Sequence, residues 1–486
     1  MNGRSIRRFG ADRWALTAVL ALIVAVNVGN MRVSWDDSTS GQFARIAFNM
    51  VTKGVYGLDL DDAGNPVPTI VREPVQPAFL AVGMALFMDP DRQDIKCLFE
   101  SPSPCGKLHL SLRIMQTLIL LAMAALIYGA AVNLFGRGWW AVIAVALFLL
   151  QGDAIAHSAA TFGGEPTAAF LLVCHAYLLA LIARDPRRRV AAVLAGVALG
   201  LLVLTKAIFI FYIVGGVALL ALLAPFAAAR RYVAFQPALI VALVAFAIMS
   251  AWIARNIVVV GTPLLTQRGN GVLVRRVEHG AMGWDEVAGS FVFYAPYVGE
   301  VLAESWLEPE HYVMLQRYNP EGYTLRMRDG GGVVNARTAR NLEGSDPRLR
   351  TLIRVLTPLQ VMIEDLPKQL VLSGSFLWRG VGVSVLGQWT GVPLIDQVIG
   401  IGARLVTILL VPALIWAAVR AVRRRHWPVF FFLLPAVYSV VIHAGVTHYL
   451  PRFSAPVIPC AIVALCWLLH DLGLTRQSAA DAISPD

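Results

Sequence analysis

Two adjacent carboxylates, Asp36 and Asp37, are the strongest candidates for chemistry in this sequence. They lie in a polar run, Ser34–Ala44, that follows shortly after the first apolar segment, residues 14–28. Charged groups beside a membrane-spanning segment are costly to keep, so such residues commonly have a function. A carboxylate at the membrane surface can act as a general base toward an acceptor hydroxyl or amine. Asp37 is equally well explained as an acid in the first turn of a helix.

Three basic residues have the chemistry to bind a phosphate on the same side of the membrane. Arg452, Arg255 and Lys206 each lie at the predicted outer end of a membrane span. Arginine matches phosphate oxygens with two parallel hydrogen bonds, whereas lysine supplies a point charge. The phosphate of a membrane-embedded lipid would lie at this depth. Instead of binding a substrate phosphate, these residues could contact lipid headgroups. Arg255 could also bind the backbone of the loop that follows it.

Further polar residues lie in the predicted outer loops. Glu165 precedes a proline at a predicted helix start, where helix capping alone also explains an acid. Asp153 and His157 belong to the same loop and are candidates for lining an acceptor cleft. His443 and His448 flank the last outer loop, but no ligand spacing accompanies them. No cofactor is expected; a divalent metal stays an open alternative that nothing in the sequence supports.

The five cysteines show no zinc-binding spacing. Cys97 and Cys105 flank a short polar loop, and a disulfide between them is a candidate if that loop is extracytoplasmic. Two free thiols are the alternative. The remaining three lie in apolar segments, where cysteine serves as a small core residue.

The composition identifies the environment in which these groups lie. Of the 486 residues, 57% are hydrophobic and 15% are charged, and the mean hydropathy is +0.64. Soluble proteins have roughly 45–50% apolar and about 25% charged residues, so a polytopic membrane protein is predicted. The net charge of +10 includes arginine clusters between apolar blocks, where they orient helices. Binding to nucleic acid is therefore not expected.

Apolar blocks predict ten membrane spans with both termini in the cytoplasm. After residues 14–28, the predicted spans are 111–135, 139–152, 166–183, 190–205, 207–226, 235–254, 397–419, 428–446 and 453–470. Arginines at alternate junctions fall on the side of the N-terminal arginines, as the positive-inside rule requires. They are Arg137, Arg184, Arg187–Arg189, Arg230, Arg231, Arg420 and Arg423–Arg425.

This topology divides the chain into three segments. Residues 1–254 form an N-terminal transmembrane catalytic module that includes the first periplasmic loop, 31–110. Residues 255–396 form a periplasmic, interfacial helical segment. Residues 397–486 supply the last transmembrane helices and a cytoplasmic tail.

Helical patterns are also predicted outside the spans. The apolar stretch Pro74–Met88 is too short to cross a bilayer and predicts an interfacial helix. Amphipathic helical patterns occur near Trp284–Trp306 and Leu349–Leu372. A glycine-rich turn separates these two patterns.

The acid loop resembles the first extracytoplasmic loop of the C-type glycosyltransferases, which use polyprenyl-phosphate-linked sugars. The matching residues are Asp36-Asp37, Ala44, Gly54-Val55-Tyr56-Gly57 and Arg72-Glu73-Pro74-Val75-Gln76-Pro77-Ala78-Phe79-Leu80. Three further stretches match in order: Gly163-Gly164-Glu165, Trp252-Ile253-Ala254-Arg255-Asn256, and Arg452-Phe453 with Pro456 and Pro459. The chain is thus similar to protein O-mannosyltransferases and the lipid A aminoarabinose transferase. It departs at Asp37, where glutamate is usual, and at Ser40, where tyrosine is usual.

The resemblance implies an all-α polytopic membrane protein with the C-type fold and juxtamembrane helices. It implies a hexosyl- or pentosyltransferase of the bacterial inner membrane, acting on the periplasmic face with inversion at the anomeric carbon. The donor is a polyprenyl-phosphate sugar, and the acceptor is a glycan, lipid or protein. Asp36, with Asp37 beside it, is then the catalytic base, and Arg452 holds the donor phosphate with help from Arg255 or Lys206. The residues expected to line the donor or acceptor cleft are Arg72, Glu73, Glu165 and Asp153.

Two other interpretations remain open. A transporter or flippase for a lipid-linked anion would use the same basic outer ends without chemistry. Transporters commonly have charged or broken helices at the bilayer midplane and repeated halves, and the sequence shows neither. A catalytically inactive relative is the third interpretation, because of the departures at Asp37 and Ser40.

Overall fold

The computed structural model describes residues 16–18, 20–21, 39–88, 106–136, 138–160, 163–223, 235–316, 319, 322–323, 332–346, 349–381, 393–447 and 453–483. The chain divides into two compact units. The first comprises Met1–Thr266, Val385–Tyr438 and Ala455–Asp486, and the second comprises Gln267–Ser384 and Ser439–Ser454. The predicted limits of the three segments are not tested by this division and stay predictions.

The described residues are mainly helical. The first unit begins with α1 (Thr39–Lys53), β1 (Gly57–Leu60), β2 (Pro66–Pro68), α2 (Val75–Phe87), α3 (Gly106–Phe135), α4 (Gly138–Ala160), α5 (Glu165–Arg184), α6 (Arg189–Val203), a 3-10 turn (Ala207–Phe209), α7 (Ile210–Leu223) and α8 (Phe235–Val260). Next come α9 (Arg268–Glu278), a 3-10 turn (His279–Ala281), α10 (Trp284–Phe293), α11 (Gly299–Trp306), α12 (Pro309–Leu315), α13 (Val333–Leu342), α14 (Arg350–Glu364) and α15 (Leu366–Val381). The chain closes with α16 (Pro393–Arg423), α17 (Trp427–Val446), a 3-10 turn (Ala455–Val457) and α18 (Ile458–Ile483).

Six helices among the described residues are long and apolar enough to cross a membrane. They occupy Leu110–Phe135, Glu165–Arg184, Phe235–Val260, Gly400–Arg423, Trp427–Val446 and Ala455–Gly473. Shorter apolar helices occupy Gly138–Gln151, Arg189–Val203 and Ala207–Leu222. Each predicted span after the first therefore coincides with an apolar helix. The chain is an all-α polytopic membrane protein. The count of ten spans is not established, because three of the predicted spans coincide with the shorter apolar helices and most of residues 14–28 lies outside the described residues.

Helices α6 and α8 pack closely because glycines of α6 face the contact. A β-carbon added at Gly196 would lie 2.8 Å from the carbonyl oxygen of Val241. One added at Gly200 would lie 3.1 Å from the carbonyl oxygen of Ala245, which is also tighter than an ordinary contact. Small residues are common at helix contacts in membranes, because they let the two backbones approach each other.

Several helices of the first unit end together at one side, which we call the arginine end. Arg184 of α5 donates a hydrogen bond to a backbone carbonyl oxygen of α3. The His470 ring of α18 stacks on Phe135 at the end of α3, with centroids 5.9 Å apart. In the same helix, Asp471 forms an ion pair with Arg420 of α16. The described arginine clusters of α5 and α16 thus share one side, in agreement with the predicted topology; we call the opposite side the loop end.

A short antiparallel hairpin, β1 and β2, was not predicted from the sequence. The Asp61 carboxylate holds its turn by accepting hydrogen bonds from the backbone N–H groups of Asn65 and Ala63. These bonds, that from Asn65 above all, lower the pKa of Asp61. Glycine is required at Gly57, where a β-carbon would lie 2.5 Å from the carbonyl oxygen of Val67.

The helices predicted outside the spans are confirmed, with altered limits. The predicted interfacial helix Pro74–Met88 is α2. The pattern near Trp284–Trp306 forms α10 and α11, which are separated where Tyr297 adopts a positive φ of 69°. The pattern Leu349–Leu372 forms α14 and α15, which are separated at Asp365.

The core of the second unit contains a buried cation packed against an aromatic ring. The side chain of Arg276 is fully buried and donates hydrogen bonds to the side chain of Gln369 and, at 2.7 Å, to its carbonyl oxygen. The guanidinium carbon lies 4.8 Å from the ring centroid of Phe376. Cation–π contact and hydrogen bonding together offset part of the cost of burying this charge.

A buried histidine lies in the same core. The His279 ring packs 5.1 Å from Phe376 and 5.9 Å from Tyr323, and its Nδ1 donates to the Arg275 carbonyl oxygen at 2.6 Å. Burial lowers the pKa of His279 to about 3, and the charges of Arg379 and Arg276 act in the same direction. His279 is therefore neutral in the folded protein at ordinary pH.

Acidification should destabilise the second unit through His279. The unfolded chain takes up a proton below pH ~6.5 and the folded chain only near pH 3, so stability falls as the pH drops through this window. Between pH 6.5 and 5 the loss is about 2 kcal/mol. We expect this loss of stability to appear as weaker protection of the α9 and α15 backbone amides against hydrogen exchange, after the exchange rates are corrected for the pH dependence of the intrinsic rate. His279→Phe, which retains a ring, should abolish most of it; equal losses in both proteins would contradict the assignment.

Candidate functional site

The structure places five of the predicted site residues. They are Arg72, Glu73, Glu165, Lys206 and Arg255. Asp153 and His157 were predicted to lie in an outer loop, but their backbone belongs to helix α4, which continues past the predicted end of the span at residue 152 to Ala160. The predicted residues that lie outside the described part of the chain are Asp36, Asp37, Cys97, Cys105, His448 and Arg452. Their roles, and the disulfide, stay predictions.

Glu165 and Lys206 form an ion pair at the loop end of the first unit. Glu165 is the first residue of α5, and Lys206 follows α6 in the turn that leads into α7. Lys206 Nζ lies 3.0 Å from Glu165 Oε1, and the two side chains are 24% and 10% exposed. The sequence predicts that Lys206 helps bind the donor phosphate and that Glu165 lines a cleft. The structure brings them together, so each compensates the charge of the other.

The start of α2 joins the first outer loop to this pair. The Val75 N–H donates a hydrogen bond to the Leu204 carbonyl oxygen at 3.2 Å, just before the turn that carries Lys206. Two residues after Glu165, Thr167 Oγ1 donates to Gln76 Oε1 at 2.7 Å. These polar contacts hold α2 against the beginning of α5 and the end of α6.

Arg72 connects the same loop to α1. Its buried side chain donates from Nε to Gln42 Oε1 at 2.9 Å, and its guanidinium carbon lies 5.0 Å from the ring centroid of Phe43. The acid pair Asp36-Asp37 directly precedes Ser38 and the first residue of α1. Arg72 therefore packs against α1, and the predicted catalytic acids come just before α1 in the sequence.

The start of α5 lies beside both α1 and α2. A β-carbon at Gly164 would lie 3.7 Å from Gln76 Cβ and 3.8 Å from the ring of Phe43. The polar side chains gathered here, which we call the loop-end cluster, are Gln42, Arg72, Gln76, Glu165, Thr167 and Lys206. Three of them (Gln42, Gln76 and Thr167) were not predicted. Gln76 stands within the motif that carries the resemblance, but neutral amides at this spacing indicate no chemistry by themselves.

Tyr56 supports the backbone of Arg72. The Tyr56 hydroxyl donates to the Arg72 carbonyl oxygen at 2.9 Å. Burial raises the pKa of Tyr56, and the neighbouring Glu73 carboxylate acts in the same direction. The phenol therefore stays protonated and keeps its donor role.

Arg255, at the loop end of α8, holds the hairpin that precedes it in sequence. Its Nη1 donates to the Thr69 carbonyl oxygen and to Asn256 Oδ1, both at 3.1 Å. The guanidinium carbon lies 5.4 Å from the ring centroid of Tyr56 and 5.0 Å from that of Trp252. The loop that follows α8 is held instead by Asn256, whose Nδ2 donates to a backbone oxygen there at 2.8 Å. Arg255 therefore does bind loop backbone, but in the loop that contains the hairpin and not in the loop that follows α8.

Arg255→Lys should loosen the hairpin although it keeps the positive charge. Lysine lacks the planar group that bonds to Thr69 while lying over two rings, so about 1–3 kcal/mol of local stability should be lost. Hydrogen exchange of residues 57–69 should accelerate by roughly one to two orders of magnitude. Arg354→Lys, at an exposed arginine of α14, is the matched control. Unchanged exchange in the Arg255 variant would contradict the role in holding the hairpin.

Among the described residues, no group of three or more His, Cys, Asp or Glu side chains has the arrangement of a metal site. His443 stacks on Phe453 at 4.9 Å, and its carbonyl oxygen accepts a hydrogen bond from Thr447 Oγ1 at 2.7 Å. The free cysteines of the described residues lie in apolar helices and are Cys174, Cys460 and Cys466.

Comparison with solved structures finds similarity to two proteins at low sequence identity. The archaeal oligosaccharyltransferase AglB from Archaeoglobus fulgidus, in complex with an inhibitory peptide and a dolichol-phosphate, is 14% identical with a TM-score of 0.45. The match covers 98% of this chain and 52% of AglB, so this chain spans about half its length. ArnT from Cupriavidus metallidurans, bound to undecaprenyl phosphate, is 15% identical over 92% of this chain and 77% of ArnT, with a TM-score of 0.35. The apo form of ArnT matches at 17% identity over 90% and 78%, also with a TM-score of 0.35. No protein-family model and no curated protein sequence matches this chain.

Proposed function

We propose that this chain is a membrane glycosyltransferase that uses a polyprenyl-phosphate-linked sugar as its donor. The observation that carries the proposal is the loop-end cluster. It gathers Arg72, Glu165 and Lys206 from three separate parts of the chain, beside the helix that the acid pair precedes. Arg72 and Glu165 belong to the motifs that resemble the C-type superfamily, and Lys206 is one of the basic residues predicted to help bind the donor phosphate.

In the proposed reaction, an acceptor hydroxyl or amine attacks the anomeric carbon of the donor sugar. Asp36 takes the proton of the acceptor as the new bond forms. The bond between the anomeric carbon and the phosphate oxygen breaks, and its electron pair leaves with the polyprenyl phosphate. Attack from the face opposite the leaving group inverts the anomeric carbon.

The leaving phosphate is already an anion of low basicity, so it needs charge neutralisation rather than a proton. Arg452 supplies that charge in the proposal, since an arginine can bind two phosphate oxygens at once. Lys206 assists through its pair with Glu165: the carboxylate orients the ammonium group, and Nζ keeps donors for a phosphate oxygen. Arg255 contributes indirectly, by holding the hairpin of the same loop.

In the proposed topology, the loop end lies at the periplasmic face of a bacterial inner membrane. The arginine end then lies in the cytoplasm together with both termini, as the distribution of arginines favours. The lipid tail of the donor lies between spans, and the acceptor is a glycan, lipid or protein. No metal or other cofactor is assigned a role.

An assay with the purified full chain and a radiolabelled polyprenyl-phosphate sugar in vesicles tests the proposal. Transfer of the label to an acceptor fraction is the expected result. Movement of intact donor across the bilayer without transfer would identify a transporter or flippase. If neither transfer nor movement is detected with donor and acceptor extracts from several sources, the chain is a catalytically inactive relative. That result would overturn the proposal. Mass spectrometry of lipids that co-purify with the protein would identify the donor through a retained sugar-phosphate lipid.

A further inference from the structure

An apolar groove runs along α7, away from the loop-end cluster. Its volume is about 390 Å³, within the usual size range of small-molecule sites. Helices α5, α6, α7, α8 and α17 all contribute to its walls. The residues from α5 and α8 come from the halves of those helices nearer the arginine end, and those from α17 come from the same half and from just past its middle. The groove therefore extends from about the middle of the bundle toward the arginine end.

The polar side chains that line this groove are His175, Tyr212 and Tyr438. His175 is fully buried, and its Nδ1 lies 2.9 Å from the carbonyl oxygen of Ala195. A carbonyl oxygen can only accept, so Nδ1 carries the proton and Nε2 of the neutral ring is an acceptor. Nε2 has no hydrogen-bond partner among the described residues. A buried acceptor without a donor costs free energy, so its presence in a cavity indicates a ligand that brings a donor.

Two tyrosines close the groove around His175. The Tyr212 ring lies 5.8 Å from the His175 ring, and the Tyr438 ring lies 5.1 Å from that of Tyr212. The Tyr438 hydroxyl already donates to the Ile208 carbonyl oxygen at 2.8 Å. The two tyrosines thus contribute aromatic rings to the wall of the groove next to His175. Nε2 of His175 can accept a hydrogen bond from a ligand.

The position of His175 determines where the ligand must carry its donor. His175 lies ten residues after Glu165 at one end of α5 and nine residues before Arg184 at the other. At a rise of 1.5 Å per residue it is roughly 15 Å from either end, near the midplane of a bilayer. The donor group of the ligand therefore lies deep in the hydrocarbon region.

The described lining of the groove excludes a charged group at this depth. None of the lining residues is an aspartate, glutamate, lysine or arginine. A phosphate beside His175 would be desolvated without a compensating cation, at a cost of several kcal/mol. A hydroxyl group needs only the one acceptor that Nε2 provides.

We propose that this groove binds a neutral long-chain lipid alcohol, whose hydroxyl donates to Nε2 of His175 and whose hydrocarbon chain lies along α7. The chain contacts apolar side chains and the bare surface of Gly215 and Gly216, where an added β-carbon would meet no atom within 4 Å. This lipid is distinct from the phosphate-bearing donor of the proposed reaction. Its site is separate from the loop-end cluster.

Photolabelling of the full chain in nanodiscs tests this site. The probes are a diazirine-bearing long-chain alkanol, its methyl ether and the matching alkyl phosphate, each competed with its unlabelled form. We expect the alkanol to label α5 and α7 and to bind about three- to tenfold more tightly than the ether, the effect of one hydrogen bond. Equal binding of alkanol and ether, or tighter binding of the alkyl phosphate, would overturn the proposal; the latter would indicate a tail site for the donor.

Paired variants separate the hydrogen bond from the groove. His175→Phe keeps a ring and should erase the preference for alkanol over ether, whereas His175→Gln, which keeps an acceptor, should retain part of it. Gly216→Leu fills the groove and should abolish labelling by both probes. Gly402→Leu, at a glycine of α16 whose β-carbon would also meet no atom within 4 Å, should leave labelling unchanged. Unchanged labelling in Gly216→Leu would overturn the location. The comparison of alkanol with ether uses the unmodified protein. It can therefore contradict the proposal even if a variant misfolds.

Discussion

Asp36→Asn should leave the chain folded and reduce sugar transfer by about 10²–10⁴-fold, the usual contribution of a positioned general base. Asparagine has nearly the same shape as aspartate but accepts no proton, so binding of the donor should change little. The loss should therefore appear in kcat with the donor KM nearly constant. The measurement is steady-state transfer from a labelled polyprenyl-phosphate sugar by the purified protein.

The matched control is Asp62→Asn in the same outer loop. Asp62 is exposed in the turn of the hairpin. The carboxylate that accepts hydrogen bonds from the backbone of this turn belongs to Asp61 and not to Asp62. This variant should transfer sugar at the unmodified rate. Near-normal turnover by Asp36→Asn, with the control also active, would remove Asp36 from the mechanism. Asp37→Asn, measured in parallel, distinguishes a second catalytic acid from a helix-capping residue.

Lys206→Met should reduce both stability and transfer, and the double variant Glu165→Gln/Lys206→Met should restore only stability. Removal of Lys206 leaves the nearly buried Glu165 carboxylate without its cation at 3.0 Å. Since the lysine is partly exposed, we expect a loss of about 1–3 kcal/mol rather than the larger cost of a fully buried pair. Neutralising Glu165 removes the carboxylate charge that Lys206 no longer compensates, so the double variant should regain most of this free energy.

Transfer by the double variant decides what Lys206 does. If Nζ contacts the donor phosphate, the donor KM of the double variant should stay raised by roughly 10–100-fold, the effect of one charged hydrogen bond. If Lys206 only neutralises Glu165, transfer should recover together with stability. Lys53→Met, at an exposed lysine that ends α1, controls for the loss of a positive charge in the same region. Recovery of the donor KM in the double variant would assign the pair to structure alone.

The contacts of the loop-end cluster also revise how the outer loop is held. The resemblance placed Arg72 and Glu73 at a cleft and Arg255 near a phosphate. In the structure, Arg72 packs against α1, and Arg255 binds the backbone of the hairpin. Tyr56 connects the two arginines, since its ring lies against Arg255 and its hydroxyl donates to the backbone of Arg72. A substitution at Arg255 can therefore affect transfer through the loop without any contact with substrate.

The membrane class and the positions of the helices were determined by the sequence itself. Hydropathy and arginine spacing depend on residues close together in the chain, since each apolar block must span the bilayer and each basic junction is sorted locally. The start of α5 at Glu165 and the helix α2 likewise depend on residues close together in the chain. The hairpin was missed because its four-residue and three-residue strands are too short for a recognisable alternation.

Only the tertiary structure decided which side chains meet. Glu165 and Lys206 are 41 residues apart, and Arg255 lies 186 residues from Thr69. Such contacts depend on which helices are neighbours and on how each is rotated about its axis, and glycines such as Gly196 control this packing. That Nε2 of His175 has no partner among the described residues follows from the same packing, because a histidine in an apolar helix does not reveal whether its second nitrogen will find a partner. Residue types thus indicated what chemistry was available, and the packing of distant helices decided which of those groups act together.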